Sequence, residues 1–498
     1  MDQAQAHKRN EWLVLATVMI ASFLGRLDGT IVNLALPKII KDFGITVSQA
    51  GWISTAYIIA NAIFVPIFGK LGDLIGRKKL YIFGILGFTL SSMLAGLAFN
   101  LQSMILFRVL QAVTVSIDYP IALSIIAHTF EDKSERAQAM GLWSAIFAVA
   151  AVFGPLIGGP LIDIFSWRAI FYINVPLGII GTLMAVTFIE EPVKQIKGVE
   201  NFDVAGSLLL GVSLGVLVLV LDQGQAWGWL SLKSVISYVV TALTMMLFIV
   251  TESRAKEPVV DLKFFKIPAF SAAILTSFIS FMGMIGGLFI LPIFIQTYLG
   301  FTVTQTGLLF IPMAVGMMIA APLGGKLASK IEPRFLTSFG MFVAALAMYL
   351  FAGIDIKWTG WDVAIRMFVM AFGLGIGLAP LTNAATSTVP TSEIGIASSV
   401  LALARNISGA FGIAIFATIL TNSFNSNLLS LQQHTVINSQ SRSIFVEVAA
   451  LMATKANIIS FSVVFESAVV FMIVGAISAL LVKENKRDFV GEAPLIEF

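Results

Sequence analysis

"PIFGKLGDLIGRKK", residues 66–79, has an echo in "PLGGKLASKIEPRF", residues 322–335. Pro66 matches Pro322, Gly69 matches Gly325, Lys70 matches Lys326 and Leu71 matches Leu327, a constant offset of 256 residues. Each copy closes an apolar run, and the runs set the class of the molecule. They lie at about 12–36, 49–69, 78–98, 102–127, 138–164, 167–189, 203–222, 233–251, 269–298, 304–328, 334–353, 361–389, 394–421 and 460–482. Each is near the roughly 20 residues that a helix needs to cross a bilayer. Moving the ninth run back by the same offset lays it on the first. The expected architecture is therefore an all-α polytopic membrane protein of fourteen spans. Residues 1–190 form a first six-helix bundle, and 191–266 a linker with two inserted spans. Residues 267–498 form a second six-helix bundle with a tail. Parallel repeats of this kind mark transporters that bind substrate at the repeat interface.

Composition agrees. Of 498 residues, 58% are hydrophobic and only 12% charged, against about a quarter charged in soluble domains. No cysteine is present and the three histidines are scattered, so disulfide, thiolate and clustered-metal chemistry are not expected. The first run is too long for the core of a signal peptide and reads as a retained span. The net charge of +3 matters less than its placement. With the N-terminus inside, inner segments hold most of the 31 Lys and Arg, including Lys70, Arg77, Lys78 and Lys79. The positive-inside rule then puts both termini in the cytoplasm.

The 66–79 stretch resembles the loop motif of the major facilitator superfamily through Gly69, Leu71, Asp73, Gly76, Arg77 and Lys78. The resemblance implies the major facilitator fold and a gating role for Gly69, Asp73, Gly76, Arg77 and Lys78. "GPLIGGPLID" (154–163) offers small residues for close helix packing. It also looks like the antiporter motif of the same superfamily, carried by Gly154, Pro155, Gly158, Gly159 and Pro160. "LDGTIVNLALP" (27–37) and "SEIGIASSVLALARNISGAFG" (392–412) resemble its fourteen-span drug:proton antiporter branch. One departure stands out: "RVLQAVTVSIDYP" (108–120) carries Asp118 where that branch usually has a small residue.

Charges at membrane depth are costly and by default face a pathway. Arg26 and Asp28 are two residues apart and cannot face each other on a helix, so each needs its own partner. Asp28 and Arg108 differ by about 4 Å in depth at 1.5 Å per residue. On a continuous helix Arg108, Gln111, Val115 and Asp118 fall within about 80° of one another. The expectation is Asp28–Arg108 and Asp118–Arg26 pairs that exchange with protonation, with Glu466 as a third proton-coupling candidate. Asn33, Tyr57, Gln111, Tyr119, Gln296 and Asn383 are candidate cavity residues. Arg366 and Arg405 read as helix braces, Asp163 and Asp222 as solvated span ends, and His128 as a helix-end residue without chemistry. The outer segment 424–459 reads as a loop with room for a short helix.

The resulting expectation is a proton-driven exporter of lipophilic cationic or zwitterionic compounds. The alternative is a dedicated exporter or flippase of an endogenous lipid or metabolite. An enzyme is not expected, for want of a paired nucleophile and base. The expected setting is a bacterial plasma membrane and the expected partners are small lipophilic substrates, protons and the bilayer. No cofactor, metal or nucleic acid is expected, and the chain is expected to be a monomer powered by the proton gradient.

Overall fold

The computed structural model describes residues 2–130, 132–190, 203–255, 258, 260, 262–328, 330–355, 357–386, 394–435 and 442–482. Among them all long elements are helices, as hydrocarbon requires of a backbone that must satisfy its own polar groups. The first bundle contains α1 (Asp2–Phe43), α2 (Val47–Ile75), α3 (Arg77–Gly96), α4 (Leu101–Val115), α5 (Asp118–Thr129), α6 (Lys133–Ile164), α7 (Ala169–Tyr172) and α8 (Asn174–Phe188). The insert is α9 (Val204–Trp227) and α10 (Leu232–Arg254). The second bundle contains α11 (Pro268–Thr297), α12 (Val303–Leu308), α13 (Phe310–Leu327), α14 (Pro333–Ala352), α15 (Gly360–Thr386), α16 (Ile394–His434) and α17 (Arg442–Ala479). Among the described residues 12 helices are long and apolar enough to cross a membrane. Helices α2 and α6 occupy the two other positions where the sequence expects a span.

Local chemistry starts and stops these helices. Thr46 with Gln49 caps α2, Asn100 with Ser103 caps α4, and Thr302 with Gln305 caps α12. Pro268 and Pro333 open α11 and α14, where a missing N–H costs nothing. Gly76 separates α2 from α3 at φ 99°, a turn that a Cβ would resist.

The repeat reappears as packing. Helix α1 packs on α6 and α8 as α11 packs on α16 and α17, and α3 packs on α4 and α8 as α14 packs on α15 and α17. The two bundles meet through α1 with α11, α2 with α16, and α6 with α12 and α13. Helix α9 lies over the α2–α16 seam.

The meeting is one-sided. At the end away from the α1 N-terminus, here the far end, one apolar core runs through both bundles and includes Ile31, Leu36, Trp167, Phe289, Phe294 and Ile413. Toward the near end the cores are separate, one around Val14, Tyr81 and Trp143 and another around Phe270, Leu381 and Leu401. Gly51 of α2 lies against Ile413 and Ala417 of α16. On that same face of α16, two and three turns toward the near end, Asn406 and Ala402 are exposed. The bundles are thus sealed at the far end and diverge toward the near end.

Among its described residues, segment 424–459 is almost all helix rather than loop. Helices α16 and α17 run 41 and 38 residues and carry their helical paths through most of it. The Ser, Asn and Gln that suggest a loop suit a helix that has left the hydrocarbon, whose core is only about 30 Å thick.

Candidate functional site

Two polar clusters occupy the first bundle, both built around a carboxylate. The Asp28 carboxylate is fully buried and Arg108 is 1% exposed. One amino group of Arg108 donates to Asp28 Oδ2 and to Gln111 Oε1, the latter at 2.8 Å. Gln111 donates from Nε2 to Asp28 Oδ1 at 3.2 Å and to Ser92 Oγ at 2.6 Å. Asn174 donates from Nδ2 to the same two oxygens at 3.3 and 3.1 Å. The Tyr57 ring covers the guanidinium at 4.0 Å. Five helices, α1 to α4 and α8, are therefore tied to one ion pair. The expected Asp28–Arg108 pair is present. Ser92 and Asn174 are additions that sequence spacing did not find; their only signal is a polar side chain inside an apolar run.

Asp118 belongs to the second cluster, one irregular turn beyond the first: span four is kinked, with Ser116 and Ile117 still in right-handed helical backbone but the hydrogen-bond ladder interrupted. Helix α4 ends at Val115 and α5 begins at Asp118. Pro120 has no N–H to continue the ladder and forces a break just before it. The stripe expected from Arg108 to Asp118 is therefore interrupted. Asp118 sits in the first turn of α5, where the helix dipole favours an anion. Its Oδ1 accepts from Ser22 Oγ at 2.9 Å and from Tyr81 OH at 3.0 Å. Trp143 donates from Nε1 to Ser22 at 2.8 Å and so fixes that hydroxyl. A cavity of about 20 Å³, the size of one water, lies beside Asp118 between Leu24, Tyr81 and Thr114. The expected Asp118–Arg26 contact is replaced by these neutral donors. Arg26 is exposed on α1. Tyr119, also exposed, rests its ring 5.4 Å from that of Trp143.

Other expected residues fall in different places. Gln296 is part of the far-end seal, donating to the Leu34 carbonyl across the bundles at 3.0 Å. Asn33 accepts from Ser54 at 3.3 Å, while Asn383 is exposed near the divergence. Glu466 stands apart from both clusters, exposed on α17, and accepts from Ser462 of its own helix at 3.4 Å. Asp222 is not solvated: it is 8% exposed and accepts from Ser48 and from Trp52, the indole at 2.7 Å, pinning α9 to α2. Asp163 is exposed yet engaged, accepting from Thr304 N and Oγ1 at 2.8 Å each. It thereby joins α6 to the N-terminus of α12 in the other bundle.

The two motifs take separate roles in the packing. Gly158 admits Ile31 of α1, and Gly159 admits the backbone of Thr304, whose Cα would lie 2.6 Å from an added Cβ. Gly154 abuts Thr30 of α1, the Pro155 carbonyl abuts Gly307, and Pro160 is a second proline inside α6. Through Pro155, Gly159 and Asp163 the 154–163 stretch is thus one of the far-end contacts between bundles, while Gly154 and Gly158 pack within the first. At the near end Arg77 donates to the His128 ring at 2.7 Å, so His128 has a partner after all, and Lys78 donates to the Val186 carbonyl at 2.8 Å. The surroundings of Gly69 and the side chain of Asp73 lie outside what the structure describes.

The pattern that defines the Major Facilitator Superfamily matches residues 18–413. The multidrug transporter protein MdtP of Bacillus subtilis is 34% identical over 421 residues, 84% of this chain and 76% of that protein. The multidrug export protein EmrB of Escherichia coli is 31% identical, covering 84% of this chain and 82% of that protein. Among solved structures, a bacterial homologue of the human lysosomal transporter Spinster, inward-facing and unoccupied, aligns with a TM-score of 0.71 at 17% identity, over 95% of this chain and 97% of the other. The nucleoside transporter NupG aligns with a TM-score of 0.64 at 12% identity, over 94% and 100% of the two chains.

Proposed function

The chain belongs to the major facilitator superfamily and is a transporter rather than an enzyme, and from that premise we propose that it exports lipophilic cationic or zwitterionic compounds from the cytoplasm in exchange for protons. The charge bias of the loops supports placing the near end in the cytoplasm. The arrangement described above is then open inward and sealed outward, and rocking of the two bundles exchanges the openings.

The observation that carries the reading is the contrast between two carboxylates in one bundle. A proton placed on Asp28 would leave Arg108 buried without its counter-charge, which is costly. A proton placed on Asp118 strands no buried cation, because its partners are the neutral Ser22 and Tyr81. Asp118 is also only half-buried and its chain neighbour Tyr119 is exposed, so the reading has a substrate reach it from the divergence. A cationic group and a proton then compete for one anion. Competition for one site is the simplest form of antiport. The Asp28 cluster serves as the fixed hub that carries the motion between helices.

The test is purified protein in liposomes with an imposed pH gradient, with dye movement and internal pH followed together. The proposal expects dye to move against the proton flow and each addition of dye to release a proton signal. Dye movement with no proton counterflow would contradict it. So would full activity in both Asp28→Asn and Asp118→Asn.

A further inference from the structure

Arg405 has no explanation in the first bundle's chemistry. It lies on α16, eleven residues from Ile394, so about 16 Å along the helix and at membrane depth. One amino group donates to Thr382 Oγ1 of α15 at 2.8 Å. The guanidinium carbon stands 4.9 Å from the ring centre of Phe281 on α11. Its Nε is buried without a hydrogen-bond partner. No carboxylate among the described residues pairs with it. Two other arginines at membrane depth, Arg108 and Arg366, are differently held. Arg108 has Asp28. Arg366 has two backbone carbonyls, at 3.0 and 2.6 Å, with Asp362 and the Trp358 face beside it, and is the rim brace that its sequence suggests.

A guanidinium offers five N–H donors in a planar fork. Holding one at this depth with a single neutral hydroxyl is costly. The cost is offset if an anion arrives. The surroundings suit one attached to an apolar body: Phe281 beside the fork, Phe278 and Phe411 on the same two helices with their rings 5.7 Å apart, and exposed Asn383 and Asn406 toward the divergence.

We propose that Arg405 receives an oxyanion carried by the exported compound, a carboxylate in the first instance. The fork matches that group bidentately. This rests on the export reading and extends it. With Asp118 taking a cationic group in one bundle and Arg405 an anionic group in the other, the preferred cargo is a zwitterionic amphiphile.

The test uses two probes with one ring system: rhodamine B, a zwitterion with a free carboxylate, and its ethyl ester, a cation. Binding to the purified full-length protein is read by fluorescence polarisation for wild type, Arg405→Lys and Arg405→Gln. The wild type is expected to bind the acid more tightly. Arg405→Gln should weaken the acid about tenfold or more, the loss of a charge-assisted hydrogen-bonded pair, with the ester's Kd unchanged or lowered. Arg405→Lys should recover part of the acid's affinity. Equal affinity of wild type for both probes, no binding of either, or an equal loss for both in Arg405→Gln would overturn the proposal. Binding as expected with no pH-driven movement of either probe would overturn the export reading alone.

Discussion

The side chain of Arg108 donates to Asp28 while its guanidinium lies 4.0 Å from the ring centre of Tyr57, so the buried cation of the first bundle is covered on its edge by charge and on its face by an aromatic ring. Removing either charged partner leaves the other stranded. Arg108→Ala or Asp28→Ala should each cost about 3–5 kcal/mol of stability. The double replacement should cost clearly less than the sum of the two, as neighbours in one network do. Thermal unfolding of the four proteins in detergent checks this, and strict additivity would contradict it.

The far-end seal should be measurable by labelling, because the chain has no cysteine of its own. Ile413→Cys, facing Gly51, should resist an aqueous maleimide. Asn406→Cys, on the same face two turns away, should react readily. Asp163→Ala removes the acceptor for the α12 amides and should raise labelling of the 413 position several-fold. Equal reactivity at 406 and 413 would contradict the one-sided closure.

Gly159 should be intolerant of any side chain. A Cβ there would meet the Thr304 backbone at 2.6 Å, and backbone cannot swing aside as a side chain can. Gly159→Val should still fold but fail to close the far end. Transport should fall to background while labelling of Ile413→Cys rises. Normal transport in that variant would contradict the close approach.

The insert should be held chiefly by Asp222. Asp222→Ala removes hydrogen bonds from Ser48 and Trp52 to a carboxylate, bonds worth about 1.5–3 kcal/mol each. A clear drop in Tm is expected, with a smaller drop in Trp52→Phe, which keeps the Ser48 bond, and no further drop in the double variant beyond that of Asp222→Ala; an undiminished Tm in Asp222→Ala would contradict this.

Much of this was legible in the chain. The repeat, the span order and the Asp28–Arg108 pair follow from period and depth, because lipid permits so few arrangements. The partners of Asp118 are not legible, because the helix through 108–120 is kinked before Pro120 and the carboxylate meets Ser22 and Tyr81 instead of Arg26. Ser92 and Asn174 were missed because a lone polar residue in an apolar run does not announce its partner. Asp222 looked solvated because its distance from span centre says nothing of a neighbouring helix; Trp52 and Ser48 reach it across more than 160 residues of chain. The helical course of 424–459 was hidden by polar residues that suit a loop and an emergent helix equally.

The central claim is that Asp118 carries the coupling proton. The most direct measurement compares wild type with Asp118→Asn in liposomes under two conditions: exchange of labelled for unlabelled dye without a pH gradient, and dye accumulation driven by one. A coupling residue outside the hub predicts that Asp118→Asn keeps exchange within severalfold of wild type and loses gradient-driven accumulation. Accumulation retained at the wild-type level would contradict the account.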